Sequence, residues 1–244
     1  MGADTWTMDV MSDRHPLPGP AGRDPASRAI RLLVIGLLSI HAVIALVNLT
    51  SLVDDTTLGK ILDVNREGTA FVWLTSAALW TIALASLYAA AANRSTGSPR
   101  RAWAGWLVIA AGFALLSLDE TAQLHERVGD KASELIRIPG LPDLYAWVLV
   151  VAPIALLGAL WMLKWLGSTL GFRSTTTRLS MAAVGLWVIV PVLESLDPSL
   201  GGPRPLIVLE ESLEMVGIVL FLAGVLLYLR DRGWLRLPAG TMAR

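Results

Sequence analysis

Residues 102–126 read AWAGWLVIAAGFALLSLDETAQLHE, an apolar run of membrane-spanning length that ends in a dense polar cluster. Between Asp119 and Glu126 this stretch contains three carboxylates and an imidazole. Charged groups at membrane depth are energetically costly, so they are a default indication of function. A second acidic cluster, from Glu210 to Glu214, lies inside another apolar run, and Glu194 lies at the end of a third. The clusters predict where the chemistry takes place, but they do not identify a substrate.

The composition predicts an all-α, polytopic membrane protein. The chain has 244 residues, of which 54% are hydrophobic and 16% charged. Apolar runs of roughly 20 residues are long enough to cross a bilayer as helices. Six such spans are predicted, and they form a six-transmembrane-helix bundle. Their approximate ranges are 29–53, 69–92, 102–119 with a helical continuation towards Ile136, 143–166, 179–196 and 206–229.

The distribution of basic residues predicts the orientation. Residues 1–28 are expected to be a flexible cytoplasmic tail, 29–236 the transmembrane domain and 237–244 a short C-terminal tail. Fourteen of the 20 Lys and Arg residues fall on the side of the two termini. Because cytoplasmic loops are enriched in Lys and Arg, both termini are predicted to be cytoplasmic and the acidic clusters extracytoplasmic. The arginine-rich composition suggests a bacterial protein, hence an inner (plasma) membrane location.

Helical geometry groups the acidic residues into one candidate site. Glu210 and Glu214 lie one turn apart on one face, with Gly217 two turns along it, where a glycine would admit a neighbouring backbone. Antiparallel packing of the third and sixth spans would bring the two clusters together, with Glu194 between them. The candidate metal ligands are Asp119, Glu120, His125, Glu126, Glu194, Glu210, Glu211 and Glu214.

These carboxylates require compensation at a membrane rim, by a bound cation, by shared protons or by arginines. Arg127, Arg137 and Arg204 are fewer than the carboxylates, which favours a cation or protons. Oxygen ligands with one imidazole suit Zn, Mn, Fe or Ca. A plainer interpretation treats the acids as rim charges and as helix N-terminal residues favoured by the dipole. This plainer interpretation does not explain Glu214, because Glu214 is predicted to lie about 14 Å below the outer surface.

Three functions stay open at this point. The leading hypothesis is a carboxylate-rich cation site, in a metal-dependent membrane enzyme that acts on a small cation or a lipid-like substrate. The alternatives are a cation or proton-coupled transporter, and a non-catalytic subunit or scaffold within an oligomer or with a partner subunit. No basic patch for nucleic acid is present, and the absence of cysteine excludes thiolate chemistry. His41 is interpreted as a hydrogen-bonded packing residue rather than a ligand, and Asn48-Leu49-Thr50 as a chance glycosylation pattern.

Two motifs, Asp119-Glu120 followed by His125-Glu126, and Glu210-Glu211-x-x-Glu214-Met215-x-Gly217, resemble those of uncharacterised bacterial multi-pass membrane proteins. The resemblance implies a polytopic inner-membrane protein and no particular activity. Ceramidase-like membrane hydrolases need three zinc histidines, and ferritin-like di-iron proteins need Glu-x-x-His pairs. Only His41 and His125 lie in predicted spans, and the chain has no Glu-x-x-His, so neither resemblance holds.

Overall fold

The computed structural model describes residues 24–50, 56–66, 68–124, 127–128, 131 and 145–236, with the side chains at 145–150 and 194–200 excepted. These residues form helices and no strand. Six of the helices are long and apolar enough to cross a membrane, which confirms the predicted all-α multi-pass fold. The helices are α1 (Pro25–Asn48), α2 (Thr57–Leu62), α3 (Ala70–Ser95), α4 (Arg100–Ala122), α5 (Tyr145–Leu170), α6 (Thr175–Leu200) and α7 (Arg204–Asp231).

Local capping chemistry sets the start of α1. The Asp24 carboxylate accepts hydrogen bonds from the backbone amides of Ala26 (3.2 Å) and Ser27 (3.3 Å). Pro25 occupies the first helical position, where its missing N–H costs nothing. As a result α1 begins four residues before the predicted start of the first span. Residues 1–23 of the expected N-terminal tail (1–28) and the expected C-terminal tail at 237–244 lie outside the described residues.

Two further predicted boundaries were wrong. The third span does not continue as one helix towards Ile136, because α4 ends at Ala122 and Gln123 adopts the left-handed conformation, with φ of 52°. Helical backbone resumes only at Leu124. The loop predicted from Asp197 is also shorter than expected, since α6 continues through Pro198 to Leu200. The turn into α7 then uses Gly201 and Gly202, whose φ angles of 80° and 64° suit glycine.

Helix α7 is the centre of the bundle. It packs against α1, α3 and α6, and 61% of its most apolar window is buried, compared with 17% for α1. The α3–α4 and α6–α7 pairs form two extensive antiparallel hairpins, and α5 packs against α6. Large apolar side chains on the outside of the bundle, such as Trp73 and Leu157, are exposed. This arrangement matches a helix bundle whose outer surface faces lipid.

Candidate functional site

Three aromatic rings join α4, α6 and α7 at one level of the bundle. The ring centroids of Phe113 and Phe221 are 4.5 Å apart, and Trp187 lies 6.1 Å from each of them. The Trp187 indole occupies the space beside Gly217, where a Cβ would collide with it, and its Nε1–H donates to the Glu214 carbonyl oxygen at 3.2 Å. Gly217 therefore admits a neighbouring side chain, not the neighbouring backbone that the sequence had suggested.

A second aromatic level lies nearer the α3–α4 link. Trp106 of α4 packs against Tyr228 of α7 with centroids 4.7 Å apart, and it meets Trp165 of α5 edge-on at 5.4 Å. Trp106 precedes Phe113 by seven residues, and Tyr228 follows Phe221 by seven. Seven residues make almost two helical turns, about 10 Å, and return to nearly the same face. The contact between α4 and α7 thus repeats every seven residues.

The same register continues, away from the α3–α4 link, to the acidic residues. Seven residues beyond Phe113 on α4 is Glu120, and seven residues before Phe221 on α7 is Glu214. On α6, Glu194 stands seven residues beyond Trp187, level with the turn from Glu210 to Glu214. The backbones therefore carry carboxylate residues at one level of three packed helices, roughly 10 Å beyond the aromatic rings.

The structure describes five of the eight candidate ligands in full. Asp119, Glu120, Glu210, Glu211 and Glu214 are all half-buried, and each residue takes part in a hydrogen bond or an electrostatic interaction. His125 and Glu126 lie outside the described residues, and only the backbone of Glu194 is described. Within the described residues, no three acidic or imidazole side chains are grouped closely enough to hold a metal ion. The predicted metal site therefore stays a prediction.

His41 is a buried packing residue of α1 that contacts the acidic helix. Its Nε2 lies 3.0 Å from the Ser212 hydroxyl, and its ring packs 5.7 Å from Phe71. The Ser212 hydroxyl donates its single proton to the Val208 carbonyl at 2.6 Å. The His41 Nε2–H is then the donor of the imidazole–serine bond. Ser212 was missed in the sequence, although its place between Glu211 and Glu214 was a usable signal.

Polar contacts anchor the loop that precedes α3. The Asn48 amide is fully buried, donates to the carbonyls of Ile44 (2.9 Å) and Leu62 (2.7 Å), and accepts from the Val64 amide (3.1 Å). Such an engaged side chain is not available to a glycan, in agreement with the chance-match interpretation. Next to it, the buried Asp63 carboxylate accepts a hydrogen bond from Arg204 at 3.3 Å. Arg204, considered above as a partner of the acidic clusters, thus holds this loop to the start of α7.

Comparison with known proteins gives one match. No curated protein and no solved structure matches the chain. A family model described as "Domain of unknown function (DUF8692)" matches residues 29–229, which include all six long helices in whole or in large part. This match confirms the coarser part of the expected resemblance, that to an uncharacterised family, while the two motifs stay predictions. The chain belongs to the family of that domain of unknown function.

Proposed function

We propose that this multi-pass membrane protein binds a cation, most simply a divalent metal ion, between the outer ends of α4, α6 and α7. The observation that carries the proposal is the seven-residue register: aromatic pairs occupy two successive levels between α4 and α7, and Glu120 and Glu214 occupy the next. Glu194 stands at that level on α6. Asp119, Glu210 and Glu211 lie close by in the sequence as further ligands.

The size of the side chains leaves room for an ion. Helices α4 and α7 meet through aromatic rings and not through close backbone approach. A carboxylate is smaller than the rings that separate the two backbones at the Phe113–Phe221 and Trp106–Tyr228 levels. Two carboxylates at the same backbone separation therefore leave space for an ion between them. Two facing carboxylates in a low-dielectric bundle repel each other, so they favour a bound cation or a shared proton. Carboxylate oxygens, together with His125, suit Zn, Mn, Fe or Ca.

The buried aromatic levels favour a cation site that is open to one side of the membrane. They do not favour a transport pathway that crosses the whole protein. Phe113, Phe221 and Trp106 are almost fully buried and fill the bundle beneath Glu214. A cation or proton-coupled transporter would need polar groups there. In an enzyme, the bound metal would activate water and one of the carboxylates would act as a base, with a lipid-like molecule as a substrate within reach. A scaffold would instead pair the acids with basic groups of a partner subunit.

Metal analysis of the purified protein tests the proposal. The parent protein should retain a stoichiometric amount of Zn, Mn, Fe or Ca after dialysis, and Glu214→Gln should lose it while remaining folded. Asp231→Asn, an exposed carboxylate at the other end of α7, is the matched control and should keep the metal. Metal content that is unchanged in a folded Glu214→Gln protein would remove Glu214 from the site. A parent that binds none of the four metals would refute the metal proposal.

A further inference from the structure

A groove on the outer surface of the α3–α4 hairpin, near the link between these helices, is separate from the acidic site. It has a volume of about 570 Å³ and is lined by Leu87, Ala90, Ala91, Arg94, Ser95, Trp103 and Leu107. Its apolar lining combines a leucine from each helix with two small alanines of α3. Its polar end is the last turn of α3, where Arg94 and Ser95 lie. A single ligand in this groove would therefore contact apolar side chains along most of its length and the Arg94 guanidinium at one end.

The part of this hairpin near the link carries only positive charge. From residue 68 to residue 118 the chain contains Arg94, Arg100 and Arg101 but no acidic residue. The guanidinium of Arg94 lies over the Trp103 ring, 5.4 Å from its centroid, and this contact holds it at the mouth of the groove. Within the described part of the chain, Arg94 forms no ion pair with a carboxylate. The groove thus complements an anion that carries an apolar chain.

We propose that this groove binds an anionic phospholipid, with one acyl chain along Leu87 and Leu107 and the phosphate on Arg94. Tryptophan is typical of the membrane interface, so Trp103 fixes the depth at which a headgroup would lie. Basic residues at that depth attract anionic lipids. The α3–α4 link is on the predicted cytoplasmic side, the leaflet in which such attraction is usual. This inference does not depend on the cation site.

Native mass spectrometry of the detergent-purified protein tests the inference. Dioleoyl phosphatidylglycerol should bind in preference to dioleoyl phosphatidylcholine. Arg94→Gln should weaken phosphatidylglycerol binding by roughly fivefold, the effect expected for one arginine at a membrane surface. Arg173→Gln, an exposed arginine in the α5–α6 link, is the matched control and should change binding little. Ala91→Trp, which fills the groove at an exposed position, should reduce binding without removing charge.

Three results would overturn the inference. Equal losses in Arg94→Gln and Arg173→Gln would indicate general surface electrostatics. Undiminished binding to a folded Ala91→Trp protein would show that the acyl chain does not use the groove. Competition by inorganic phosphate as strong as that by the lipid would indicate an anion site with no lipid selectivity.

Discussion

The two ends of the bundle place different side chains on the same faces of α4 and α7. Near the α3–α4 link, Trp106 and Tyr228 pack against each other with centroids 4.7 Å apart. Two heptads further out, the equivalent positions hold Glu120 and Glu214. Buried aromatic contacts stabilise a fold, whereas facing carboxylates cost free energy unless something compensates them. Under the proposed function, one end stabilises the fold and the other binds a cation.

The buried asparagines of the two ends show the same contrast. Asn93 exchanges hydrogen bonds with the Tyr228 hydroxyl at 2.9 and 3.2 Å, which joins α3 to α7 through side chains. Asn48, at the acidic end, bonds to the backbone of the loop around Leu62 and Val64. Both amides are satisfied, as burial requires. The Asn48 amide thus holds a loop in place, whereas the Asn93 amide joins a helix pair.

The largest expected effect lies at the aromatic end. Trp106→Ala removes a fully buried indole, and large-to-small core substitutions of this kind cost about 3–5 kcal/mol of unfolding free energy. Reversible denaturant unfolding in detergent would measure it. Trp73→Ala, at a side chain 71% exposed on the lipid-facing surface, is the control and should cost much less. Similar losses in the two variants would contradict the assignment of this end as the stabilising core.

A smaller effect is expected at the level between the two ends. Gly217→Ala places a methyl group against the Trp187 indole, and overpacking of this kind costs about 1–3 kcal/mol. Because Trp187 also joins the Phe113–Phe221 pair, the substitution should disturb the contact of α4 with α7. Gly112→Ala is the control, since no atom lies within 4 Å of the added carbon there. Equal stability of the Gly217→Ala and Gly112→Ala proteins would contradict the close packing of the Trp187 indole against Gly217.

The sequence predicted the six spans because apolar length is a local property. It placed helix ends less well, since these depend on particular residues. The capping by Asp24 before Pro25 was visible in the sequence, whereas the left-handed Gln123 that ends α4 was not, because no glycine marks it. Pro198 suggested a loop, yet the helix continues through it to Leu200.

The residues of the candidate site and the pairing of their helices were predicted from the sequence, but the polar contacts around the site were not. The partners of two polar residues are distant in the chain: Ser212 bonds to His41 across 171 residues, and Asp63 bonds to Arg204 across 141. From the sequence alone, Asp63 could not be distinguished from a solvent-exposed acidic residue of a polar loop. The seven-residue spacing of Trp106, Phe113 and Glu120 was present in the sequence. Only the contacts of Trp106 and Phe113 with α7 show that this spacing follows the face of α4 that meets α7.

The central claim is that the register of the aromatic levels brings Glu120 and Glu214 to face each other. The chain contains no cysteine, so paired cysteines can be introduced without background. With a short bifunctional thiol reagent in native membranes, Glu120→Cys/Glu214→Cys should crosslink efficiently. Leu118→Cys/Glu214→Cys should not, since Leu118 is 53% exposed and points roughly 160° away around α4. Equal crosslinking of the two pairs, or crosslinking of the Leu118 pair alone, would contradict the account.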